Sequence, residues 1–157
     1  MLQTEEYARE IVRAGLRADK LAEIVAARMD RQEILRRDDP PWLVVLLDHS
    51  VIHRTVGGPA IMRPQLERLL EAIHEPNITV RIVPDGVPIY PTAPFTVLGF
   101  HNEPDVGYAV GENGLGRVIE PGSQVSELGV LFDRIGSVAL PAADSEKLIR
   151  TVLEDMP

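Results

Sequence analysis

Cysteine is absent from this chain of 157 residues, so neither a disulfide framework nor thiolate chemistry is available to it. No stretch approaches the ~20 uninterrupted apolar residues of a membrane span, and the first residues contain no apolar signal segment. The expectation is a cytoplasmic protein without a membrane partner. Positive charge is also scarce: 16 basic residues face 24 acidic ones, for a net charge of −8. Nonspecific nucleic-acid binding rests on basic side chains that neutralise phosphates, so direct nucleic-acid binding is not expected. Lys20 and Lys147 are the only lysines, a bias that fits a GC-rich genome and says nothing of mechanism. No Gly-x-Ser-x-Gly elbow supports serine hydrolysis, and no cofactor is implied.

What is present reads as one domain of mixed α/β class. Thr4-Glu5-Glu6 supplies an N-cap and acidic first-turn residues, predicting a helix over 5–14 that stops at Gly15. A second helix is expected over 19–37, with Leu21, Ile24, Val25, Met29 and Leu35 on one stripe. Asp38-Asp39-Pro40-Pro41 ends it. Arg28, Arg31, Arg36 and Arg37 cluster there among Asp30, Glu33, Asp38 and Asp39, which reads as a solvated face, with a docking patch as the alternative.

Trp42 to Leu47 is a continuous apolar run, the pattern of a strand buried on both faces. A third helix lies between Pro59 and His74. Pro64 implies either a start near Arg63 or a kink. Ile78 to Val83 is a second strand, and strand–helix–strand at this length predicts a parallel βαβ unit. After the proline-rich loop 85–94, short strands at 95–100, 106–110 and 115–119 predict an antiparallel meander. Two helices, about 123–139 and 142–154, close the chain. The sum is a sheet of about five strands, with one parallel βαβ unit and an antiparallel meander, flanked by about five helices.

Several residues can carry chemistry. Gly57-Gly58-Pro59 leads from a loop into a helix. The free N–H groups of such an N-terminus can hold a carboxylate or phosphate; a structural turn is the other reading. The Walker lysine and Ser/Thr are missing. Gly111-Glu112-Asn113-Gly114-Leu115-Gly116 lies between two strands and reads as a hairpin turn through Asn-Gly. His49 and His53 are four apart, a spacing found in helical zinc sites, but no His-Glu-x-x-His pattern or third ligand accompanies them, so no metal is expected. His49 follows Asp48 at the carboxyl end of a parallel strand, where ligand crevices form in α/β sheets, and a histidine there can transfer protons near neutral pH. A hydrogen-bonded loop histidine is the plainer alternative. Tyr90, His101 and Tyr108 converge with His49 if the long loop folds over the sheet. Each alone also fits a packing role.

Four segments carry a resemblance: Leu2-Gln3-Thr4-Glu5-Glu6-Tyr7-Ala8-Arg9, Arg31-Gln32-Glu33-Ile34-Leu35-Arg36, Val56-Gly57-Gly58-Pro59 with Met62 and Gln65-Leu66, and Pro94-Phe95-Thr96-Val97-Leu98. With them the chain resembles an actinobacterial domain of unknown function that usually sits C-terminal to an Xre-type helix-turn-helix in antitoxin-like transcriptional regulators. The similarity runs from Leu2 to about Ile149. The resemblance implies a sensing or partner-binding effector domain, often beside a small companion protein, with no enzymatic activity assigned. With the matching segment starting at residue 2, the resemblance implies an effector domain without its DNA reader. The chain departs from the family's usual pattern at His49 and Val110, where members usually carry acids, and at Gly99, where an acid is common. Loss of acids and gain of an imidazole fit a changed ligand or a pocket turned to acid–base chemistry.

Two functions follow as expectations. The preferred one is a non-enzymatic effector domain that binds a small molecule or small protein partner through His49, Gly57, Gly58, Tyr90, His101 and Tyr108; a homodimer is one assembly open to it. The alternative is a standalone, cofactor-free cyclase or isomerase of secondary metabolism, with His49 as acid/base and Tyr108, Tyr90 and Asp48 orienting.

Overall fold

Apolar residues at helical spacing along Pro59–Ile73 and the β-branched run Ile78–Val83 meet across the main core of the protein. A computed structural model describes residues 1–14, 20–89, 93–110 and 116–157. They form two compact units, residues 1–85 with 140–157, and residues 86–139.

In the first unit, α1 (Glu5–Arg13) is capped by Thr4, whose hydroxyl accepts the Tyr7 N–H. α2 (Leu21–Asp30) gives way to a 3-10 helix over Arg31–Arg36, so the expected single helix over 19–37 changes type within its length; Asp19 and the stop at Gly15 lie outside the described residues. β1 (Leu43–Asp48) is followed by a short α3 (His49–His53) and then α4 (Pro59–Ile73). β2 (Ile78–Val83) pairs parallel with β1, Leu43 opposite Ile78 through Asp48 opposite Val83. α6 (Ala142–Glu154) completes the unit.

The core joins Leu66, Leu69 and Leu70 of α4, Ile78, Val80 and Ile82 of β2, and Ile149 of α6. α4 starts at Pro59, earlier than Arg63, and runs through Pro64. Proline at the first helical position costs no hydrogen bond. Pro64 and Ala60, whose carbonyl Pro64 cannot serve, are both exposed, so water can hydrate the freed group. The outer edge of β2 is sealed by the entry to α6: Leu140 N–H donates to the Ile82 carbonyl at 2.8 Å, and Ile82 N–H donates to the Ser145 hydroxyl at 2.9 Å.

In the second unit, β3 (Phe95–Leu98), β4 (Val106–Val110) and β5 (Gly116–Ile119) form an antiparallel meander with α5 (Ser123–Val138) packed on it. Phe95 of β3 meets Phe132 of α5 edge to face at 6.5 Å between ring centroids. The connection 111–115, where the hairpin turn is expected, lies outside the described residues.

The βαβ unit and the meander are both present, and the class is mixed α/β. The single sheet of about five strands is not: among the described residues, β1 and β2 make one sheet and β3, β4 and β5 another. Among the described residues six α-helices accompany them, against about five expected, because residues 49–53 are helical. Hydrophobic alternation marks strands but does not say which strand edges meet. Nor is β1 buried on both faces: Val44 is 48% exposed, and Trp42 precedes the strand at 81%.

Candidate functional site at the carboxyl ends of β1 and β2

β1 ends at Asp48, and the chain turns at once into α3. Asp48 is the N-cap: its Oδ1 accepts the Ser50 N–H at 2.9 Å and, through a short contact, the Ser50 hydroxyl. Those two donors hold its carboxyl below the usual carboxylate range. The cap fixes the direction of the turn, and the turn fixes His49 and His53.

One helical turn separates the two histidines, and their rings lie 4.1 Å apart between centroids with a 36° tilt. The helical spacing does put both imidazoles on one face. His49 Nδ1 is 3.0 Å from Asp85 Oδ2. Asp85 stands two residues beyond the end of β2, and the in-register pairing of Asp48 with Val83 brings both post-strand segments to the same end of the parallel pair. The His49 side chain is 28% exposed and that of Asp85 77%, so the pair faces solvent on its carboxylate side. Among the described residues, no three His, Cys, Asp or Glu side chains are grouped to hold a metal ion.

A carboxylate on Nδ1 orients an imidazole and leaves Nε2 for hydrogen bonding or proton transfer. The arrangement can therefore bind a polar group or exchange a proton with one.

The other expected site residues fall elsewhere. Gly57 and Gly58 have φ of +67° and +88°, the left-handed region that favours glycine. Gly58 is the N-cap of α4 without a side-chain cap bond. A Cβ on Gly57 would come within 2.8 Å of Glu10 Cγ, so an acidic side chain already stands beside that turn. This geometry supports the structural reading of the pair. Tyr108 lies on β4, with its ring over Gly116, whose lack of a side chain makes the room. Val110 is the last residue of β4, opposite Gly116. His101 is exposed in the connection between β3 and β4. His101 and Tyr108 belong to the second unit and His49 to the first. Tyr90 lies outside the described residues.

Sequence reasoning missed Asp85. A signal was available: a carboxylate just past β2 mirrors His49 just past β1, and parallel pairing puts both at one end. It named Gln65 only as part of the resemblance and gave no role to this buried side chain of α4, whose Oε1 accepts the Thr4 N–H and whose Nε2 donates to the Leu2 carbonyl, each at 2.8 Å.

A family model described as Domain of unknown function (DUF5753) matches residues 1–151. No curated protein and no solved structure matches the chain.

Proposed function

We propose, from the premise that the chain belongs to the DUF5753 family, a domain of unknown function, that it is the ligand- or partner-binding effector domain of an Xre-family-like transcriptional regulator, without enzymatic activity of its own. The observation that carries this reading is the His49–Asp85 pair at the carboxyl ends of β1 and β2, because open α/β sheets take their ligands outside those ends. The pair offers an oriented imidazole and an exposed carboxylate to a small molecule or a small protein partner. The net charge of −8 disfavours phosphate backbones as that partner. No described helix is long and apolar enough to cross a membrane, and a cytoplasmic location is part of the proposal.

The test is native mass spectrometry of the chain after exposure to lysate of its source organism, with His49→Ala in parallel. A metabolite or small protein retained stoichiometrically, unchanged over time and lost in the variant, supports the reading. Retention that ignores His49→Ala, or no retention at all, refutes the assigned surface.

The Asp85 contact also favours a second reading, a standalone, cofactor-free cyclase or isomerase of secondary metabolism with His49 as acid/base. Asp85 would then take the orienting role expected of Asp48, whose carboxylate is committed to Ser50. Conversion of the retained metabolite, abolished in a folded His49→Ala variant, would decide for the enzyme.

A further inference from the structure

A concavity lies at the opposite end of β2 from the His49 pair. It is a cleft of about 290 Å³ lined by Gln32, Leu35, Arg36, Arg68, Glu75 and Ile78. Ile78 opens β2 and Val83 closes it, so at ~3.3 Å per residue the cleft and the His49 pair stand roughly 17 Å apart along the strand. The two sites are independent, and the proposal below does not rest on the function proposed above.

The lining is divided by chemistry. Arg36 is tethered by Glu33 at 3.0 Å, and Arg68 by Glu71 at 3.6 Å. Each tether occupies part of a guanidinium that carries five N–H donors, so donors remain for an incoming carboxylate. Gln32 is fixed in the wall, since its Nε2 donates to the Gln3 carbonyl at 2.8 Å. Glu75 follows the end of α4, which stops at Ile73 with His74 as its C-cap. Helix carbonyls concentrate negative potential at such an end and favour a cation, and the Glu75 carboxylate adds to it. Leu35 and Ile78 belong to the apolar core and its margin and supply an aliphatic wall.

Guanidinium groups, a carboxylate at a helix C-terminus and an apolar wall around one small volume match a molecule with both charges and a short hydrocarbon body. A cleft of this size is at the lower limit of ligand pockets, roughly 300–1,000 Å³, which suits a ligand of amino-acid size. We propose that this cleft binds an α-amino acid zwitterion with an aliphatic side chain: carboxylate toward Arg36 and Arg68, ammonium toward Glu75, side chain against Leu35 and Ile78.

The experiment is isothermal titration of the full chain with L-valine and L-leucine. Two truncated probes accompany them: 4-methylpentanoate, which lacks the amine, and 3-methylbutylamine, which lacks the carboxylate. Arg36 and Glu75 are both exposed, so Arg36→Gln and Glu75→Gln should fold normally, as circular dichroism would verify. One of the two amino acids should bind at least ~10-fold more tightly than either truncated probe, the usual worth of a charge-assisted hydrogen bond. Arg36→Gln should weaken that amino acid by about the same factor. Glu75→Gln should erase the advantage of the amino acid over 4-methylpentanoate, and His49→Ala should change nothing. No binding of either amino acid at millimolar concentration, equal binding of the carboxylate alone, or full binding by Arg36→Gln would each overturn the proposal.

Discussion

Replacing Gln65 by Leu should detach the N-terminal segment while leaving the rest of the first unit folded. Gln65 is 5% exposed, and its one carboxamide serves both the Thr4 N–H and the Leu2 carbonyl. Leucine keeps most of the bulk but leaves both backbone groups unpaired. If the segment stayed in place, two unsatisfied buried groups would cost about 2–6 kcal/mol, at ~1–3 each. The segment has an alternative, which is to leave. Leaving exposes Leu2, worth about 1.5–3 kcal/mol of burial, and disturbs the Thr4 cap of α1, worth about 1 kcal/mol. It regains roughly 1–2 kcal/mol of backbone entropy per freed residue. Detachment also gives up the Gln3 bonds to Arg28 and Gln32, ~1 kcal/mol each, so central values for residues 2–4 freed leave a net loss of about 1 kcal/mol, and detachment is the cheaper response.

Urea unfolding measures that loss, and amide exchange locates it: the Thr4 N–H should lose protection in Gln65→Leu while core amides such as Val80 keep theirs. Gln65→Glu adds a pH check. Burial raises the folded-state pKa of a glutamate there above its unfolded value of about 4.3. Below that value the neutral acid can still accept from Thr4 and donate to Leu2. As pH rises from the unfolded to the folded pKa, the unfolded chain holds fewer protons and the variant loses stability relative to the parent. A Gln65→Leu protein within ~0.5 kcal/mol of the parent, the usual span of neutral substitutions, with Thr4 still protected, would refute the clamp.

Gly57→Ala should cost about 1–3 kcal/mol through its left-handed φ and the approach to Ile61 Cδ1 and Glu10 Cγ at 2.7 and 2.8 Å; Gly58→Ala, at φ +88° and ψ 172°, should also cost about 1–3 kcal/mol through backbone strain alone, although no atom lies within 4 Å, and thermal unfolding of each variant checks both. Ser145→Ala should lose about 1–3 kcal/mol in denaturant unfolding, because the buried Ile82 N–H loses its acceptor, and the Ile82 amide should exchange faster. Asp48→Ala should loosen α3 by about 1 kcal/mol and Asp48→Asn by much less, since both Asp and Asn cap well. A carbon-detected titration of the parent should find the Asp48 carboxyl below the ordinary aspartate pKa of about 3.9. The stabilisation from Ser50 is then present above that value and lost as pH falls through the depressed folded-state pKa.

Much of the secondary structure was legible because it is local. Ile78–Val83, Val106–Val110 and Ala142–Glu154 have the expected bounds, since strand-length apolar runs and helical stripes are properties of neighbouring residues. Boundaries moved where local signals conflict. Trp42 extends an apolar run but is exposed before β1. Pro64 looks like a start, yet Pro59 after two left-handed glycines is a better one. Residues 49–53 follow a capping aspartate, Asp48, but five residues are too few for a periodic pattern, and the helix went unseen.

His49 itself was legible, since its place after a parallel strand follows from the βαβ pattern. Its contact with Asp85 was not, because the two are 36 positions apart in the chain and only pairing across β1 and β2 closes that distance. The sequence by itself determined the mixed α/β class, the parallel pair and the meander, because each is written in short-range hydrophobic periodicity. Tertiary structure alone decided that the strands divide into two sheets, that Gln65 holds Leu2 and Thr4, and that Gln32, Arg36, Arg68 and Glu75 surround one cleft. Those facts depend on which faces of distant segments meet, and that choice is made by long-range packing.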